Sequence, residues 1–142
     1  MPGPRPEIQE EARLASKEVV STDRAPGPFQ GAPYNQAIRA GDFVFVAGQI
    51  GIALETGELA GSTVEEQTGQ IMRNLSAILD AAGSSLENLV KTTVFLIDLA
   101  DFNGMNGVYA RYVGESPPAR STIGISQLPS GARVEIEAVA HV

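Results

Sequence analysis

Apolar residues recur along this chain with two different periods, and the points where the period changes mark its elements. Over residues 62–82 the period is helical, with Val64, Ile71, Leu75, Ile78, Leu79 and Ala82 on one stripe. Thr63 and Glu66 have the spacing of a capping box, and Gly83 sits where a left-handed C-terminal cap belongs. A second helix is predicted from Asp101, as N-cap, to Gly114, burying Phe102, Met105, Tyr109, Tyr112 and Val113. Strands are predicted over 17–22, 37–40, 42–49, 89–97, 120–125 and 133–142, and the last two are separated by a Pro-Ser-Gly turn. Loops fall at 23–33, rich in Pro and Gly, and around Thr56-Gly57.

The order β-β-β-α-β-α-β-β predicts an α+β domain: a mixed sheet with two helices packed on one face, which buries both helical stripes. In the strand at 42–49, Val44 and Val46 alternate with Phe43, Phe45 and Ala47, so both faces are apolar. That strand is expected to be central and covered on both sides. The chain's own helices can cover only one sheet face, so the other is expected to meet another subunit. Residues 1–16 carry three prolines and closely mixed charges. They are read as a flexible extension, with 7–14 able to form a short helical turn on docking, ahead of a single domain at 17–142.

Composition narrows the chemistry. With 142 residues, 43% hydrophobic and 19% charged, the chain can enclose one real core. No apolar run reaches bilayer length and no signal pattern opens the chain, so a cytoplasmic protein without a membrane partner is the default. The absence of cysteine excludes disulfides, thiolate catalysis and cysteine-ligated zinc. The only histidine, His141, lies beside the C-terminus, which argues against an imidazole base and against a metal; no cofactor is expected. A net charge of −7 opposes contact with nucleic acid.

Few residues are then left to do chemistry. Alternation places Arg120, Thr122 and Gly124 on one face of their strand, and Glu135 and Glu137 together on one face of the last strand. Arg120 is either a two-point anchor for a substrate carboxylate or an edge-strand ion pair with Glu135 or Glu137. Glu135 and Glu137 also fit an ordinary solvated strand face. Tyr34 follows Pro33 in a loop and reads as a lid over the core edge. Asn106 lies within the second helix, where an amide is ordinarily exposed. Gly48 and Gln49 follow a buried strand, where a glycine lets backbone approach a ligand closely.

Five segments in register resemble the RidA/YjgF family of reactive-intermediate deaminases. They are APYNQAI (32–38), VAGQIG (46–51), LVKTTVFLIDLADF (89–102), NGVYARY (106–112) and PPARSTIGISQLPSGARVEIEAVA (117–140). The resemblance spans residues 19–142 and implies a chorismate-mutase-like α+β fold that assembles as a homotrimer with sites between subunits. It implies hydrolysis of 2-imino acids, such as 2-iminopropanoate and 2-iminobutanoate, to 2-keto acids and ammonia. In that reading Arg120 holds the substrate carboxylate and Glu135 orients a water and takes its proton. Tyr34, Ala47, Gly48, Gln49, Asn106 and Thr122 line the pocket, and Glu137 is structural. Two positions depart from the family pattern, Ala47 where Ser is common and Thr122 where Cys is common. The alternatives are a non-catalytic module that binds or senses a keto acid and, less favoured by the acidic charge, an endoribonuclease or translation inhibitor.

Overall fold

The computed structural model describes residues 2–142. Its helices are α1 (Pro6–Ala15), α2 (Val64–Ala81) and α3 (Phe102–Val113). Its strands are β1 (Lys17–Val20), β2 (Ala37–Ala40), β3 (Phe43–Ile50), β4 (Leu89–Leu96), β5 (Ala119–Gly124) and β6 (Val134–His141). They form one mixed sheet in the order β1-β2-β3-β6-β4-β5. Only the β4–β5 pair is parallel, because the chain crosses between them through α3. The α+β class and the interleaving of two long helices among the strands agree with the pattern read from the sequence.

The local signals for α2 carry through to its ends. Thr63 caps the helix, its Oγ1 accepting the Glu66 N–H at 3.1 Å and donating to the Glu66 carboxylate at 2.9 Å. At the other end Ser84 N–H reaches the Leu79 carbonyl at 2.8 Å and Gly83 N–H reaches that of Asp80 at 3.1 Å, with Gly83 at φ +80°. This is a Schellman ending, which glycine adopts without strain.

The start of α3 differs from expectation. Asp101 makes no capping hydrogen bond; its carboxylate instead pairs with Arg133, whose Nε and Nη2 lie 3.0 and 2.8 Å from Oδ2. Asp98 does the capping one turn earlier, accepting the Ala100 N–H at 2.9 Å. Phe102, expected on the buried side, is 40% exposed, while Met105, Tyr109 and Val113 are buried as expected. Ahead of β1 the segment expected as an extension contains α1, whose Ile8 is exposed.

The core lies between the sheet and the pair α2 and α3. The covered sheet face presents Val44, Val46, Val94, Leu96, Val134, Ile136, Ala138 and Ala140, and α2 adds Ile71, Leu75, Ile78 and Leu79. On the opposite face Phe43 and Phe45 are 46% and 49% exposed. β3 is therefore central, between β2 and β6, but the single chain covers it on one side only. Among the described residues no helix is long and apolar enough to cross a membrane.

Candidate active site

A bulge in β3 organises the open end of the sheet. Val46 opposes Ala138 and Gln49 opposes Ile136, so Ala47 and Gly48 together face the single residue Glu137. One extra residue reverses the alternation. Gln49 turns to the covered side and is buried, its Nε2 donating to the Ala47 carbonyl at 3.2 Å. Ile50 turns to the open side, opposite Glu135.

The bulge also leaves Gly48 directly beneath the Glu135 side chain. A Cβ at Gly48 would stand 2.8 Å from Glu135 Cδ and 3.0 Å from its Oε2, so only glycine admits the carboxyl in this place. Around it is a cavity of about 400 Å³ lined by Phe29, Tyr34, Ala47, Gly48, Ile50, Phe95, Pro129, Glu135 and Glu137. Burial among these largely apolar walls raises the Glu135 carboxyl above its ordinary value of 4.5, and the negative charge of Glu137 adds to the effect. Glu137 itself is exposed on the cavity rim and pairs with no arginine among the described residues.

Two left-handed turns wall the cavity. Phe29-Gln30-Gly31 and Pro129-Ser130-Gly131 each place a non-glycine residue at positive φ, Gln30 at +52° and Ser130 at +59°. The first turn is pinned by Tyr34, whose Oη accepts the Phe29 N–H at 2.6 Å. Beneath it Gln36, buried, accepts the Thr22 N–H at 2.7 Å and donates to the carbonyls of Thr22, Ala25 and Pro26. Gln36 carries no chemistry but fixes the loop that positions Tyr34.

Arg120 is elsewhere. It pairs in register with Thr92 on β4, a residue fully buried beneath the helices, so Arg120 projects from the covered side of the sheet. Its guanidinium carbon lies 5.0 Å from the Tyr109 ring centroid and 5.6 Å from that of Phe102, both on α3. Thr122, two residues on, shares that face. Asn106 lies between the two rings on the same stripe of α3 and, contrary to the expectation of an exposed amide, is partly buried, its Oδ1 without a hydrogen-bond partner. The ion pair between Arg120 and Glu135 or Glu137 does not form: β4 separates β5 from β6, and the side chains leave opposite faces.

The sequence-predicted residues thus fall into two groups. Tyr34, Ala47, Gly48 and Glu135 line one cavity. Arg120, Asn106 and Thr122 gather on the other face, against α3. Gln49 joins neither; it lines a neighbouring cavity of about 320 Å³ bounded by Pro26, Phe29, Tyr34 and Ile52. Phe29, Ile50, Phe95 and Pro129 were not anticipated as cavity wall, nor Phe102 and Tyr109 as partners of Arg120. The only available signal was the aromatic pair spaced i, i+7 around Asn106.

The chain thus holds a partly desolvated carboxyl, Glu135 on central β6, and a guanidinium without an ion pair among the described residues, Arg120 on the edge strand β5, on opposite faces of one sheet. The chain belongs to the endoribonuclease L-PSP family, which matches residues 23–142 and takes in the RidA/YjgF proteins its segments resemble. A RutC family protein from Pyrococcus horikoshii is 50% identical over 125 residues, covering 88% of this chain and 98% of that one. The human 2-iminobutanoate/2-iminopropanoate deaminase is 42% identical, covering 87% of this chain and 89% of its own length. Among solved structures, Escherichia coli TdcF with bound serine superposes with a TM-score of 0.83 at 38% identity, covering 88% of this chain and 98% of that one.

Proposed function

We propose that this protein hydrolyses reactive 2-imino acids, of the size of 2-iminopropanoate and 2-iminobutanoate, to 2-keto acids and ammonia. The observation that carries this reading is that Arg120 and Glu135 have no ionic partner among the described residues, although both are partly buried. A buried charge without a partner is costly, and a ligand that bears a carboxylate and accepts a water would supply what each lacks.

The reaction needs little more than these two groups. The protonated imine carbon is already electrophilic. Glu135 takes a proton from a water as the oxygen bonds to that carbon, giving a carbinolamine. Glu135 returns that proton to nitrogen and, as the C–N bond breaks, takes the proton of the carbinolamine hydroxyl, so that ammonia leaves as the carbonyl forms. A carboxyl held above its ordinary value by burial and by the Glu137 charge suits both directions of that transfer. Arg120 grips the substrate carboxylate in two places and fixes the carbon against the water.

Because the two groups leave opposite sheet faces, one chain cannot bring them to one substrate. We therefore place the complete site between copies, with Arg120 from one subunit facing Tyr34, Gly48 and Glu135 of the next. The exposed Phe43 and Phe45 supply the apolar surface for such an assembly, and the relatives' family makes a trimer the expected form. Ala47 offers no hydroxyl to the cavity, which favours a second reading: a module that binds the keto acid without turnover. The deciding measurement is release of ammonia or keto acid from freshly generated 2-iminopropanoate. Acceleration over the spontaneous rate supports catalysis; tight keto-acid binding without acceleration establishes the binding module instead.

A further inference from the structure

Arginine side chains on sheet edges are ordinarily free to rotate, and a free guanidinium loses that freedom when it closes on a carboxylate. Arg120 is held before any ligand arrives. Its guanidinium carbon stands over two rings, Tyr109 at 5.0 Å and Phe102 at 5.6 Å, which α3 presents one helical face apart at i and i+7. Tyr109 is itself fixed: it is 4% exposed, and its Oη lies 2.6 Å from the Oγ1 of fully buried Thr92. Thr92 is the register partner of Arg120 on β4, so the same rung of the sheet carries the arginine and the group that anchors its platform.

We infer that Tyr109, supported by Phe102 and anchored by Thr92, is a positioning residue that pre-orients Arg120 for carboxylate binding. An aromatic face attracts the cation through its quadrupole yet offers no acceptor in the plane of the fork. The N–H groups at the open edge of the guanidinium therefore stay available for a ligand, as they would not if a protein carboxylate held the arginine. Burial raises the Tyr109 phenol against the opposing pull of its hydrogen bonds to Thr92 and Arg120 and of the Arg120 charge, so the ring meets the guanidinium as a neutral phenol, whose hydroxyl is a further hold on the arginine rather than an ionic partner. Asn106, on the stripe between the rings, adds a buried Oδ1 with no partner, an acceptor beside the platform rather than across the fork.

This inference rests on Arg120 being the anchor proposed above, so its test needs one readout that depends on that role and one that does not. The first is the affinity for 2-oxobutanoate, by calorimetry on the purified full-length protein. The second is the ¹⁵Nε–H resonance of Arg120 without ligand, which stacked rings shift and broad rotamer averaging would not. Tyr109→Leu is expected to weaken 2-oxobutanoate binding about tenfold, and Phe102→Leu about threefold. Both variants lose the ring shift at Arg120. Tyr109→Phe restores the affinity to within about threefold of wild type although it gives up the hydroxyl to Thr92 and melts lower. In an Arg120→Lys background, Tyr109→Leu changes affinity by less than about twofold, because the fork it orients is gone.

A merely structural Tyr109 gives another pattern, with affinity following melting temperature and Tyr109→Phe as impaired as Tyr109→Leu. That result, or an Arg120 resonance unmoved in both ring-deleted variants, overturns the inference. If Tyr109→Leu does not fold, the exposed Phe102→Leu decides by the same two readouts. Should wild-type protein bind no 2-oxobutanoate, Arg120 fails as a keto-acid anchor, while the Arg120 resonance in the unliganded variants still settles whether Tyr109 positions it.

Discussion

Replacing Gly48 by alanine separates where the Glu135 carboxyl sits from whether it is present. The new Cβ would meet Glu135 Cδ at 2.8 Å and Cγ at 3.2 Å. Ordinary carbon contacts begin near 3.5 Å, so the carboxyl must retreat by about 0.7 Å or more. Gly48 is not among the glycines at positive φ, so alanine is allowed there and stabilises by about 0.4–1 kcal/mol through the unfolded chain. Turning Glu135 off its preferred rotamer costs about 0.5–1.5 kcal/mol, and the two effects nearly cancel. Gly48→Ala should thus melt within about 4 °C of wild type. Catalysis should suffer far more, since a group displaced by about 1 Å costs on the order of 100-fold in turnover. Gly51→Ala is the contrasting control. Its Cβ would stand 2.7 Å from the Gln67 carbonyl oxygen and 2.8 Å from Gln67 Cα, which are backbone atoms of α2 and cannot swing aside. That variant should lose about 1–3 kcal/mol of stability and keep turnover per folded molecule. The assay pairs thermal melts with initial rates on freshly generated 2-iminobutanoate. Wild-type turnover in Gly48→Ala, or a rate loss that merely follows its melting temperature, would refute the placement of Glu135 as the water-activating group.

Three further outcomes follow from the same geometry. Arg120→Ala should lose about 3 kcal/mol of keto-acid binding with the fold intact, because the guanidinium makes no ion pair among the described residues; an active but destabilised variant would remove Arg120 as the anchor. Glu135→Gln should raise the melting temperature at pH 7–8, since the carboxyl's folded value is raised: the stability it contributes is complete below 4.5, its ordinary value, and is lost as pH climbs through the folded one. The gap between wild type and Glu135→Gln should therefore close on acidification, and a gap that widens instead contradicts the direction of the shift. Phe45→Asp should yield monomers by light scattering and abolish turnover while α2 and α3 remain packed, since Phe45 is 49% exposed and outside the core; an active monomer would place the whole site within one chain.

Much of the fold was legible because its helices announce themselves twice, by stripe and by cap. The α2 stripe from Val64 to Ala82 is buried throughout, and Thr63 and Gly83 end it as their chemistry requires. Asp101 misled for a physical reason: an aspartate ahead of a helix satisfies equally well a capping hydrogen bond or an arginine, and Arg133 lies 32 residues away in sequence. The sheet order was not legible either. Alternation shows that Arg120 and Glu135 each project to one side, but not that β4 inserts between β5 and β6, and that insertion removes the ion pair. Gln49 was misplaced because a bulge shifts every later side chain to the other face, and Ala47-Gly48 carries no signal beyond a glycine within a strand. Tyr109 was read as core, correctly by burial; that one of its faces meets a cation depends on the parallel pairing of β4 with β5.

The one-sided core and the divided site have a single cause. Both helices pack on one face, so α3 can offer its rings only to side chains projecting from that face, and Arg120 is among them. The bulge and the two left-handed turns build a cavity on the other face, where no helix competes for the space and where Glu135 can be desolvated without being buried outright. Reacting atoms must come within about 3.5 Å of each other, whereas a sheet holds the side chains of its two faces apart. A chain of this design gains a stable scaffold from one face and keeps the other for chemistry, but it holds only half of each proposed site. Assembly, in this view, is not added to a finished enzyme. In the proposed assembly the exposed Phe43 and Phe45 would bring subunits together and, with them, the Arg120 of one to the Glu135 of the next, so turnover should vanish on dilution in step with dissociation, while each chain's helices stay folded.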